Sequence, residues 1–282
     1  MNTVFLNGDY LPAEQAKISV FDRGFLFGDG IYEVVPIYQR RLHRWALHLA
    51  RLRRSLSAIT LHCQLTDAEL EQMVQQLLQR NQLENGSLYL QITRSGIAGQ
   101  RDHFFTAGCD ASVFAYVNPW PQALEGPERP ALTAITVADQ RWRRCDIKSV
   151  NLLPNVLARQ QAREAGADEA ILIRNGEALE GSSSNLYIVR EGVLITPAEQ
   201  SCMLSGITRA VILELAQRHN VPVELRPIAA TELNDADEIW ISSSLRELRR
   251  ISQLDGRALA YDENRALYPK FARWFFADKL VD

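Results

Sequence analysis

The feature that most limits what this chain can fold into is the stretch 118–130, which holds Pro119, Pro121, Pro127 and Pro130 together with Gly126. Each proline fixes φ and removes a backbone donor, so neither a helix nor a sheet ladder can run through the segment. The 282-residue chain is therefore expected to form two lobes. An N-terminal domain over 1–117 and a C-terminal domain over 131–282 are joined by a linker over 118–130, in a chain long enough to bury a sizeable core.

The patterns on either side are mixed. Val4 to Leu6, followed by the Asn7-Gly8 turn signal, then Ile18 to Phe21 and Ile31 to Tyr38, read as strands. Leu49, Leu52, Leu56 and Ile59 recur at near-helical spacing. A second helix opens on Thr66-Asp67-Ala68-Glu69, a capping box, and carries Leu70, Val74, Leu77 and Leu78 on one face. Ser87 to Thr93 and Ser112 to Val117 read as further strands. Past the prolines, strands are expected at Leu132 to Val137, Ala170 to Arg174, Leu186 to Arg190 and Glu238 to Ser242. Helices are expected from about Asn155 to Ala165 and from Gly206 onward, where Ile207, Val211 and Leu215 lie four apart. The fold class is α+β (α/β) in two lobes.

Bulk properties exclude several functions. A net charge of −3 argues against nucleic acid as a partner. The arginine groups Arg51, Arg53, Arg54 and Arg249, Arg250 read as solvated faces. Cys63, Cys109, Cys145 and Cys202 form no C-x-x-C pair, and with five separated histidines no zinc spacing is visible. No apolar run approaches the ~18 residues a membrane span needs, and no basic stretch leads into an apolar one at Met1. A cytoplasmic setting, with no metal and no membrane, is the expectation.

Chemistry enters through one lysine. The chain uses four lysines against twenty-seven arginines, and one of the four, Lys148, sits in the apolar, β-branched run Cys145-Asp146-Ile147-Lys148-Ser149-Val150-Asn151-Leu152-Leu153. Arginine cannot form a Schiff base or act as a base near neutral pH, whereas a desolvated lysine can. Taken alone, the residue fits a surface lysine on an edge strand equally well. Glu180-Gly181-Ser182-Ser183-Ser184-Asn185 is a hydroxyl-rich turn between strands. Leu204-Ser205-Gly206-Ile207-Thr208-Arg209 sets a glycine and a hydroxyl at a helix start. That is either an anion site or plain capping by Ser205.

Together these segments, with Asp22-Arg23-Gly24 and Phe27-Gly28-Asp29-Gly30, resemble the fold-type IV enzymes that depend on pyridoxal 5'-phosphate, over nearly the whole chain. The resemblance implies a smaller N-terminal α/β domain and a larger, β-rich C-terminal domain with flanking helices. It implies that Lys148 holds the cofactor as a Schiff base and shuttles the substrate's α-proton, and that Glu180 faces the pyridine nitrogen. Arg51, Ile207, Thr208 and Ser244 would hold the phosphate, and Leu204 would pack on the ring.

Within the family, Tyr32 and the pair Arg101-Asp102-His103 resemble the substrate-carboxylate grip of the D-amino acid transaminases. That implies ping-pong exchange between D-amino acids and 2-oxo acids, D-alanine and 2-oxoglutarate foremost. It also implies a homodimer in which the Arg-x-His loop reaches the neighbouring subunit's site. Two departures bear on this. The loop Ser95–Gln100 is longer than the D-alanine pattern, and Leu245 after Ser244 is similar to the aminodeoxychorismate lyases, which eliminate pyruvate. The lyase reaction is therefore the alternative, and branched-chain L-transamination comes third.

Overall fold

The structure, a computed structural model, describes residues 3–105, 110–127, 129–199 and 202–281; Cys109 lies outside them. By its contacts the chain divides into two units. One runs through Glu125 and includes Ile147–Asn151; the other comprises Gly126–Asp146 and Leu152–Val281. The stretch 118–130 is partly ordered structure, with a strand reaching Pro119 and a 3-10 turn over Pro121–Leu124.

The first unit is built on an antiparallel sheet. Its strands are β1 (Thr3–Leu6), β2 (Asp9–Pro12), β3 (Gly30–Tyr38), β4 (Arg41–Leu42), β5 (Gly86–Arg94) and β6 (Ala111–Pro119), in the order β2-β1-β6-β5-β3-β4. A short helix α1 (Arg23–Phe27) precedes β3, and α2 (Trp45–Ala58) and α3 (Asp67–Arg80) follow it. Strand side chains alternate between faces. Ile31, Val35 and Ile37 of β3 accordingly join Leu52 and Leu56 of α2 and Leu70, Val74 and Leu77 of α3 in one core. Burying each such side chain contributes roughly 1.5–3 kcal/mol. The Thr66–Glu69 capping box closes the start of α3 in both directions. The opposite face of the sheet carries an aromatic row. Tyr32 stacks on Tyr89 with ring centres 5.8 Å apart, and Tyr89 on its cross-strand partner Tyr116 at 5.1 Å. Ile18 to Phe21, expected as a strand, is irregular instead. Ile18 and Val20 are exposed and, among the described residues, no neighbouring strand pairs with them, so apolar alternation had nothing to bury against.

The second unit holds β7 (Leu132–Ala138), β8 (Glu169–Arg174), β9 (Glu177–Gly181), β10 (Asn185–Arg190), β11 (Val193–Thr196), β12 (Val223–Leu225), β13 (Ile228–Ala229), β14 (Glu238–Ser243), β15 (Glu247–Leu254) and β16 (Arg257–Ala258). The order β10-β14-β15-β7-β8-β9 closes on itself through the pairing of Glu180 with Asn185. Closure removes the two edges that those strands would otherwise expose. Leu186, Ile188, Ile239, Ile241 and Ile251 form one core. Tyr187, Val189 and Trp240, on the other face, pack against α5 (Ile207–Arg218) and α6 (Tyr268–Val281). Between β7 and β8, α4 (Leu153–Glu164) covers Ala170 and Leu172 with Ala158 and Ala162. Among the described residues no helix is long and apolar enough to cross a membrane.

Candidate active site

Each unit carries some of the candidate residues. In the first, β3 aims Tyr32 and Glu33 at opposite faces, and Glu33 lands on the core side at 1% exposure. An isolated carboxylate there would be very costly, so it is paired. Arg51 Nε donates to its Oε1 at 2.8 Å and Arg51 Nη2 to its Oε2 at 2.7 Å, a two-point guanidinium–carboxylate bond. His48 Nδ1 meets Oε2 at 2.8 Å. His48 and Arg51 share one face of α2 because they are three residues apart. Burial alone would raise the Glu33 carboxyl, but the Arg51 guanidinium and His48 hold it well below the usual carboxylate range. Burial lowers His48, with Glu33 opposing, and a neutral ring donates Nδ1–H to Glu33. Arg51 is thus buried at 3% exposure, which corrects its reading as part of a solvated face. A carboxylate eighteen residues away on β3 drew it inward.

Lys148 is half-buried and its backbone is pinned on both sides. Its carbonyl accepts from Tyr32 N–H at 3.0 Å, its own N–H meets Ser55 Oγ at 3.3 Å, and the next residue bridges to Ile31. Its Nζ lies 4.1 Å from the centre of the Tyr32 ring, within cation–π range. The main chain is thus held on two sides while the residue as a whole is only half-buried. Arg101 and His103 are exposed and lie against Phe27, the Arg101 guanidinium carbon 4.9 Å and the His103 ring 5.4 Å from the ring centre. Among the described residues no hydrogen bond or ring contact joins either of them to Tyr32 of the same chain.

In the second unit Glu180 is buried at the closure of the sheet. Arg141 Nη1 donates to its Oε1 at 2.5 Å, while Oε2 accepts from Leu204 N at 3.3 Å and from Asn185 Nδ2 at 3.4 Å. Burial raises the carboxyl above its ordinary range and Arg141 opposes that rise. Arg141 is itself held by Asp139 through Nε and Nη2, both at 2.9 Å. Asn185 Nδ2 also reaches the Leu204 carbonyl at 2.8 Å, so one side chain brackets Leu204 and Glu180 together.

Close by in the sequence, α5 begins at Ile207 with Gly206 as its N-cap. The N-cap position is held by a glycine, which offers no side chain of its own to that end. A Cβ at Gly206 would overlap the Asn185 side chain, so only glycine lets the helix start approach this closely. The first-turn N–H groups and the positive end of a twelve-residue helix suit an anion. Thr208 is buried beside them, and Ser244 is half-buried in the turn from β14 to β15.

Glu33, His48, Arg141 and Asp139 were missed in the sequence. A charged residue inside the apolar run Ile31–Ile37 was the available signal for Glu33. Arg141 carried none, since its partner lies thirty-nine residues away.

The model of the amino-transferase class IV family matches residues 30–254, and the chain belongs to this family. It is 39% identical over 256 residues to a D-alanine aminotransferase of Bacillus licheniformis, covering 91% of this chain and 89% of that one. It is 40% identical over 257 residues to a D-alanine aminotransferase of Staphylococcus epidermidis, covering 91% and 90%. Among solved structures, a branched-chain aminotransferase of Thermoproteus uzoniensis with norvaline superimposes with a TM-score of 0.84 at 28% identity, over 97% of this chain and 93% of that one. The T.th. branched-chain amino acid aminotransferase with pyridoxamine 5'-phosphate gives a TM-score of 0.90 at 23% identity, over 100% and 95%. The fold is that of the fold-type IV aminotransferases.

Proposed function

We propose that this chain is a pyridoxal 5'-phosphate-dependent transaminase of D-amino acids, exchanging D-alanine and 2-oxoglutarate for pyruvate and D-glutamate in two half-reactions. The observation that carries it is Lys148, a half-buried lysine on a backbone fixed to β3 and α2. The groups present fit the cofactor's chemistry. There is an amine for its aldehyde, a buried carboxyl for its ring nitrogen, and a helix start with Thr208 and Ser244 hydroxyls for its phosphate. When bound, the cofactor supplies an electron sink for the substrate's Cα–H bonding pair.

The chain's own residues do the rest. Lys148 Nζ takes the α-proton and returns it to the opposite end of the transferred system. Glu180, whose basicity is raised by burial, holds a proton on the ring nitrogen, and Arg141 and Asn185 keep its carboxyl in place. Leu204 packs on the ring. Arg51, kept in one orientation by Glu33, assists Ile207, Thr208 and Ser244 with the phosphate.

Arg101 and His103, with Tyr32, grip the substrate carboxylate and so decide which enantiomer presents its α-hydrogen to Lys148. That Arg101 and His103 lie against Phe27, with no hydrogen bond or ring contact to Tyr32 of their own chain among the described residues, supports a homodimer in which the loop serves the neighbouring copy. A cytoplasmic setting completes the proposal.

Handedness is tested directly. D-Alanine should bleach the visible absorbance of the loaded enzyme and release pyruvate, while L-leucine leaves the spectrum unchanged. The reverse pattern would sink the D-specific reading, and pyruvate from aminodeoxychorismate would favour the elimination implied by Leu245. Glu180→Gln should slow the single-turnover D-alanine reaction by roughly 10²-fold, the scale of one proton-handling group. Cofactor affinity should stay within about threefold, because the phosphate donors remain. An unchanged rate would remove Glu180 from its role.

A further inference from the structure

The stretch Asp22–Gly30 has no part in the chemistry above, yet it is heavily tied down. Asp22 Oδ1 accepts from Gly24 N at 2.8 Å and Phe25 N at 3.3 Å, capping α1, and its Oδ2 accepts from Thr93 Oγ1 at 2.8 Å. Gly24 has no Cβ because one would overlap Thr93. Asp29 Oδ2 then accepts from both Arg23 Nε and Arg94 Nε, each at 2.9 Å. This holds the Arg23 guanidinium by one edge.

The remaining nitrogens point at the loop after β5. Nη1 donates to the Asp102 carbonyl at 2.6 Å and the Phe104 carbonyl at 3.3 Å, and Nη2 to the His103 carbonyl at 3.2 Å. Phe27, one helical turn along from Arg23, lies against the Arg23 and Arg101 guanidinium groups and the tilted His103 ring. The Arg94 guanidinium carbon sits 3.7 Å from the centre of the Phe105 ring.

We propose that Arg23 is a positioning residue for substrate recognition, clamping the backbone of residues 102–104 so that the Arg101 and His103 side chains stand at a fixed spacing. The inference rests on the reading of Arg101 and His103 as the carboxylate grip. Three successive carbonyls need a planar, multi-donor fork, which arginine has and lysine lacks. The segment ahead of the clamped residues is closed by its own turn, Gln100 N–H donating to the Ile97 carbonyl.

The test uses the full-length, cofactor-loaded protein and its Arg23→Gln, Arg23→Lys and Arg101→Gln variants, with two readouts. One is the concentration dependence of the single-turnover D-alanine reaction; the other is amide hydrogen exchange over residues 100–105. Arg23→Gln should raise the apparent D-alanine dissociation constant about tenfold, the scale of one lost charged hydrogen bond. Its limiting rate and cofactor spectrum should stay close to wild type, and exchange at Phe104 should quicken. Arg23→Lys should fall between the two, and serves as the test if the glutamine variant does not fold. Arg101→Gln should raise the same constant at least as far, and adding Arg23→Gln to it should have little further effect. If Arg101→Gln weakens D-alanine while both Arg23 variants match wild type in affinity and exchange, the clamp is refuted and the grip stands. If Arg101→Gln changes nothing, the grip reading itself fails and the proposal falls with it.

Discussion

Lys148→Ala should abolish transamination, lowering the D-alanine rate by at least about 10³-fold, within the range for loss of a proton-transfer group. It should also end covalent retention of the cofactor. Borohydride reduction of the wild-type protein should label the peptide containing Lys148, and the variant should carry no label there. The fold should survive, because what fixes this segment is main chain. The Lys148 carbonyl accepts from Tyr32 N–H, Val150 N–H donates to the Gly30 carbonyl, and Ile31 bridges Ser149. None of these needs the amine. A variant that kept a tenth of the wild-type rate after removal of exogenous amines would defeat the assignment of Lys148.

The second large effect is on stability. Glu33→Ala should destabilise the protein by about 3–5 kcal/mol, the scale found when one partner of a buried ion pair is removed. Arg51 and His48 would stay in the core without the carboxylate that holds them. The urea midpoint of unfolding measures this, and a shift equivalent to less than about 1 kcal/mol would show that the pair does not lock α2 to β3.

The same group gives a pH signature. Its folded carboxyl titrates below its unfolded value, so the unfolded chain binds more protons in acid. Its contribution is complete above about pH 4.3, the ordinary glutamate range, and is lost as pH falls further. The lowered His48 acts in the same sense from about pH 6.5 downward. Wild-type stability should therefore decline on acidification, and Glu33→Ala should decline less steeply below about pH 4.5.

Much of this site was legible before any fold was known, for identifiable reasons. Lys148 stands out because arginine supplies nearly all other positive charge, and the chemistry proposed for it is one arginine cannot perform. Thr66–Glu69 marked the start of α3 because a capping box is entirely local. The helix start at Gly206 and the turn at Glu180 were likewise local signals. Arg51 shows where such reading stops. Beside the apolar stripe of α2 it has the pattern of a surface charge, and only a strand eighteen residues earlier, pleated so that Glu33 faces inward, reverses that. Ile18 to Phe21 failed in the opposite sense, since alternation predicts a strand only if a partner edge is available.

By itself, then, the sequence marked the groups proposed to react and the local elements that carry them: the lysine, the carboxyl at position 180, the glycine helix start and the Arg-x-His loop. The tertiary structure decided which charges are buried and what each is bonded to. Pairings such as Glu33 with Arg51, Glu180 with Arg141, and Arg23 with the carbonyls of 102–104 span from eighteen to about eighty residues of chain. Their physical cause is that a buried charge must find a partner, and which partner is within reach depends on strand register and sheet closure, which no local pattern encodes.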